Sequence, residues 1–193
     1  MTIAVVAAAI LASTLGAACG TSAYDEARDD WTRTEEAFDE FEARAFIDAT
    51  LKVEPFRRAY VREYARLYAL TPAQEADLLA AELADDRDNL VLIVSFYTPE
   101  RRWNDLNPAR GFWEVRLENG RGDTLPPYSV TRLDARNPLW RTLFPTFGAH
   151  DMLYEVRFER ALPEGRPLAA RGDTLTLVVA GAPVRVRLSW SMP

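Results

Sequence analysis

The spacing of apolar residues along the chain changes character near residue 89. Upstream the period is helical. Ala27, Trp31, Thr34, Phe38, Phe41 and Ala45 recur at intervals of four and three residues, which predicts one stripe on a helix over residues 23–51. Ser22 with Asp25 has the form of a capping box at its start, Asp standing for the usual Glu. Asp29, Asp30, Glu35, Glu36, Asp39 and Glu40 fall between the apolar positions and form a solvated acidic face. That face disfavours contact with an anionic membrane surface, so the stripe is expected to pack on a neighbouring helix.

Two further helices follow. Glu54-Pro55 places proline at a first helical position. Phe56, Tyr60, Tyr64, Leu67 and Tyr68 then line one face, with Arg57, Arg58, Arg62 and Arg66 on the other, available to pair with the acids of the first helix. Thr71-Pro72-Ala73-Gln74 reads as N-cap, proline and N3 glutamine of a third helix, which turns Ala76, Leu79, Ala80 and Leu83 inward. Asp85, Asp86 and Asp88 at its end oppose the helix dipole, which predicts fraying into a polar linker. A calcium loop there would need more oxygen ligands at set spacing and a glycine for the turn.

From Leu90 the pattern is that of strands. Leu90 to Tyr97 is apolar on both faces and reads as a central strand. Alternation marks residues 112–117, 128–133, 152–159, 175–179 and 184–190; Trp113, Val115 and Leu117, then Val184, Val186, Leu188 and Trp190, are assigned inward. Gly181-Ala182-Pro183 reads as a tight hairpin. The expected fold is therefore α+β: about three helices in residues 19–88, then an antiparallel β-sandwich over residues 89–193. An immunoglobulin-like arrangement is the commonest such solution, although the Cys-Trp-Cys hallmark is absent.

Charge and cysteine usage narrow the function. The net charge is −6, which argues against a nucleic-acid partner, since that needs a basic surface. The one cysteine, Cys19, leaves no disulfide within the chain, so stability must come from packing. Its position says more. No charged residue occurs in residues 1–18; an apolar stretch is followed by small residues, the layout of a secretory signal. Leu15-Gly16-Ala17-Ala18-Cys19 resembles the lipobox of bacterial lipoproteins, with Gly16 at the place usually held by leucine. The resemblance implies cleavage before Cys19, acylation of that residue and a membrane partner through the acyl chains. Gly20 in the next place implies the outer membrane under the enterobacterial sorting rule, facing the periplasm or the cell surface.

The remaining motifs carry little chemistry. Arg-Gly-Asp-Thr-Leu occurs at residues 121–125 and 171–175; each copy reads as a turn entering a strand. His150 is the only histidine, and Asp151 beside it would point to the opposite face of a strand, a poor orienter for a triad. No metal site and no cofactor is expected, as the usual ligand sets and phosphate-binding glycine loops are missing. The best binding candidate is the loop over residues 98–111, where Arg101, Arg102, Trp103 and Asn104 join an aromatic ring to guanidinium groups. Trp140, Phe144 and Phe147 in a second loop are expected to plug the core. The sequence thus favours a non-enzymatic envelope lipoprotein that binds or scaffolds an envelope protein. The alternatives are an envelope hydrolase using carboxylates and a solute-binding accessory protein of a transporter.

Overall fold

The computed structural model describes residues 21–193; the stretch read as a secretory signal and Cys19 lie outside them. The fold is mixed α+β. The chain runs α1 (Ala23–Trp31), β1 (Thr32–Asp39), β2 (Glu42–Leu51), α2 (Glu54–Tyr68), α3 (Pro72–Asp88) and β3 (Asn89–Tyr97). It continues β4 (Trp113–Asn119), β5 (Thr124–Leu125), β6 (Ser129–Arg132), α4 (Pro138–Leu143), β7 (Met152–Glu159), β8 (Thr174–Gly181) and β9 (Arg185–Ser191). The strands form two antiparallel sheets, ordered β1-β2-β3-β7-β6 and β5-β4-β8-β9.

The helix expected over residues 23–51 is corrected. The Ser22 capping box is present, but α1 ends at Trp31, and a β-hairpin with Glu40 in the left-handed region (φ 54°) occupies the rest. The apparent helical stripe is broken: Phe41 is wholly exposed and Phe38 half-exposed, whereas Ala45, Ile47, Ala49 and Leu51 alternate inward. Thr32, Thr34, Ile47 and Thr50 are β-branched, and β2 finds a partner on each side, in β1 and β3. Pairing with a distant strand overrides a weak local helical preference. One sheet therefore spans both sides of the compositional change at residue 89.

The inner face of the five-stranded sheet carries Ile47, Ala49, Leu92, Val94 and Phe96, all buried. The Phe96 ring meets Trp113 of the other sheet edge-on, with centroids 5.2 Å apart, and residues of both sheets share one core. Trp113, Val115, Leu117, Val186, Leu188 and Trp190 point inward as their alternation predicts, while Val184 is half-buried. Leu143, Phe144 and Phe147 are buried and Trp140 packs against the core.

The outer face of the same sheet is covered in two places. At one end α2 and α3 lie over it through a charged hub. Arg57 is fully buried; its Nε donates to the Lys52 carbonyl (2.8 Å), its Nη1 to the Glu82 carbonyl (3.1 Å), and its Nη2 lies 3.0 Å from Asp85 Oδ2. Asp85 also pairs with Arg157 on β7, and Asp86 with Arg160 (2.9 Å). This corrects three expectations. The arginines of α2 meet no acid of the first helix: Arg57 pairs with α3, Arg58 with Glu54 and Arg66 with Glu63. The Asp-rich end of α3 does not fray, because guanidinium groups neutralise the charges that oppose its dipole. Finally, α3 buries no residue fully: Leu79 and Leu83 are half-buried, and Ala76 and Ala80 are exposed. At the other end, the segment after α4 covers Asp48 and Ser95, and here the surface opens.

Candidate functional site

The loop over residues 98–111 is held by its own polar groups. Thr98 N–H donates to Asn104 Oδ1 (3.2 Å), Trp113 Nε1 donates to the Trp103 carbonyl (2.6 Å), and Leu106 is buried beneath. The four residues selected from the sequence divide. Arg102 stacks on Trp103, its Cζ 4.8 Å from the ring centroid, and both line a groove of about 540 Å³ with Glu42, Arg44 and Glu100. Arg101 and Asn104 line a separate cavity of about 720 Å³, whose other walls include Tyr97, Arg132, His150 and Asp151. Trp103 is half-buried, so it serves the core and the groove together.

A third cavity, of about 390 Å³, adjoins the second and shares Tyr97 and Asp151 with it. Its remaining walls include Thr34, Glu36, Phe46, Asp48 and Thr146. Strand register explains the assembly. Thr34 on β1 faces Asp48 on β2, which faces Ser95 on β3. Side chains opposite one another across strands share a face. Asp48 Oδ1 accepts the Thr34 hydroxyl, and Asp151 Oδ2 accepts the Ser95 hydroxyl (2.9 Å) and the Gly148 N–H (2.8 Å). Two carboxylates thus converge on one polar row.

Burial raises the Asp48 carboxyl above the ordinary carboxylate range; the Asp151 and Glu36 charges push the same way, and hydrogen bonds from Thr34 and Thr146 pull it partly back. The folded state therefore holds this proton more tightly than the unfolded chain does. Its contribution to stability is present below the unfolded value, about pH 4, and is lost as pH rises through the raised folded value. At neutral pH the titration of Asp48 therefore opposes folding.

His150 is exposed and stands beside the Tyr97 ring, with centroids 6.4 Å apart. Its neighbour Asp151 turns instead to Ser95; both residues lie in the turn before β7, not on a strand. The two Arg-Gly-Asp-Thr-Leu copies are turns entering β5 and β8, with Gly122 and Gly172 at φ 88° and 81°. They bind each other: Arg121 Nη1 lies 3.0 Å from Asp173 Oδ2, and the Asp123 carboxylate accepts from Asn119 and Arg166. Thr34 and Asp48 escaped the sequence reading because the hairpin that places them was assigned to a helix. The signal was present in the alternation Ala43, Ala45, Ile47, Ala49, Leu51.

No protein-family model and no curated protein matches the chain. Among solved structures, the chain is similar to a protein of unknown function from Burkholderia pseudomallei. The two share 11% identity over 87% of this chain and 81% of that one, with a TM-score of 0.46.

Proposed function

We propose that the chain is a bacterial envelope lipoprotein, anchored by acyl chains on Cys19, that binds an envelope partner or ligand without chemistry of its own. The observation that carries the binding role is the end of the body just described, where Arg101, Arg102, Trp103 and Asn104 line open cavities. The lipobox-like stretch supports the anchor, and Gly20 favours the outer membrane. We read the two facing sheets as an antiparallel sandwich that includes the β1–β2 hairpin. Ser22, the cap of α1, follows Cys19 by three residues in the sequence, a reach of at most about 10 Å. The test is the mass of the mature N-terminal peptide from cells. The native peptide is expected to begin at Cys19 with acyl chains; Cys19→Ser is expected to stay unlipidated. A native peptide with a free thiol at Cys19 overturns the anchor.

A second reading, an envelope hydrolase, is favoured by one observation: Asp48, raised toward its acid form, beside Asp151. Glycoside hydrolysis uses such a pair as general acid and as base or nucleophile. Asp48→Asn separates this reading from a binding role. The variant is expected to melt higher than the parent at pH 7 and alike at pH 3, since it removes the charge that folding disfavours. If the chain is a hydrolase, the parent releases reducing ends from purified cell-wall glycan and the variant does not. No release by the parent leaves the binding role alone.

A further inference from the structure

We propose that the cavity of about 390 Å³ binds a small aliphatic diamine, with one ammonium group between Asp48 and Asp151 and the other at Glu36. The inference deepens the binding role and rests on that reading, but it does not depend on the lipid anchor. It starts from the charge of the walls. Glu36, Asp48 and Asp151 line this cavity, and none of its described lining residues is basic. Four other cavities of the molecule are each lined by two arginines. Burial raises the Asp48 carboxyl, and Asp151 and Glu36 act on it as like charges. A cation relieves that repulsion, and an anion adds to it.

Strand register puts the three acids within reach of one short chain. Thr34, Asp48 and Ser95 stand opposite one another on β1, β2 and β3, and Glu36, Phe46 and Tyr97 form the next row on the same face. Asp151 accepts the Ser95 hydroxyl, which brings its carboxylate beside Asp48. Side chains opposite each other on neighbouring strands lie about 5 Å apart, so one ammonium group meets both acids. Each carboxylate has acceptor sites beyond the groups it already accepts, and an ammonium group brings three N–H donors. Glu36 is the diagonal neighbour of Asp48, at about 7–8 Å, and the nitrogens of an extended five-carbon diamine are about as far apart. Phe46, opposite Glu36, lies along that path. Its ring and that of Tyr97, with centroids 5.9 Å apart, give the methylene chain an apolar wall, and aromatic faces attract cations. Two simpler cations fit less well. A metal ion needs its ligands gathered around one point, and among the described residues no three carboxylate, imidazole or thiol side chains are so placed. A single ammonium group leaves Glu36 without a counter-charge. The cavity is at the small end of ligand sites, about 300–1,000 Å³, as a short chain requires.

The experiment is calorimetric titration of the full chain in detergent, at about 0.15 M salt to screen diffuse attraction to the acidic surface. The probes are cadaverine, a five-carbon diamine; pentylamine, the same chain with one ammonium group; and Nα-acetyl-lysine amide, which presents a protein lysine. Cadaverine is expected to bind with Kd below about 1 mM, and each monoamine about fivefold more weakly. Glu36 is exposed on an edge strand, so Glu36→Gln keeps the fold; it is expected to abolish the preference for cadaverine over pentylamine. Asp48→Asn is expected to weaken both about tenfold. Cadaverine that fails to bind at millimolar concentration, or binds no better than pentylamine, overturns the diamine. So does an unchanged affinity in Asp48→Asn, or a preference that survives Glu36→Gln. Tighter binding of the lysine amide overturns it too, and assigns the cavity to a lysine side chain of a protein partner. A photo-crosslinking group at position 103 in cells distinguishes failure of the diamine from that of the binding role. An envelope protein captured there while cadaverine fails leaves the binding role standing, and failure of both removes it.

Discussion

Arg57→Ala is expected to destabilise the protein by about 3–5 kcal/mol, the usual cost of removing one partner from a buried charge network. For a chain of this size that is a fall in melting temperature of roughly 10 °C. The size follows from what remains. Arg57 is fully buried and contacts Glu82, Asp85 and Asp86 together, all on α3. Lys52, Arg157 and Arg160 stay to compensate, but none fills the space that the guanidinium leaves. Because α3 has no fully buried residue, its attachment depends unusually on this hub. Hydrogen exchange in Arg57→Ala should therefore accelerate first along Pro72–Asp88. Urea unfolding checks the total; a loss below about 1 kcal/mol, the range of an exposed pair, contradicts the hub.

Trp190→Ala is expected to cost a comparable amount, about 3–5 kcal/mol, through the cavity it leaves. Trp190 is 1% exposed, and its Nε1 donates to the Trp31 carbonyl at 2.9 Å. Trp190→Phe keeps most of the ring and loses this hydrogen bond, at about 1 kcal/mol. The pair of variants divides packing from hydrogen bonding in one urea series. Equal losses for both would assign the effect to the bond alone.

Much of the sheet structure was legible because alternation is a local signal tied to one buried face. Val115, Leu117, Val186, Leu188 and Trp190 each lie where their spacing places them. So were the starts of α2 and α3, where proline and the Thr71 cap act on the nearest few residues. The hairpin of β1 and β2 was not. Its apolar residues match a helical spacing by coincidence, and what decides the matter is β3, far along the chain. The same cause hid half of the site. Arg101 and Asn104 belong to a loop whose composition marks it, but Asp48, Ser95 and Asp151 form one polar row only because two strands and a loop bring them together. Likewise, the acidic end of α3 looked unfavourable until Arg57, Arg157 and Arg160 were placed against it.

The order β1-β2-β3-β7-β6 also constrains how the chain acquires its shape. The central strand β3 needs β2 from before the helices and β7 from well after them, and Trp31 near the beginning bonds to Trp190 near the end. Such distant pairing delays the gain that rewards loop closure, which slows folding. A chain made from its N-terminus can form α2 and α3 early, but the sheet beneath them must wait for β7, and the shared core for β9. Closure of both sheets is therefore a late event in synthesis, and the apolar faces of β2 and β3 wait uncovered until the last strands emerge.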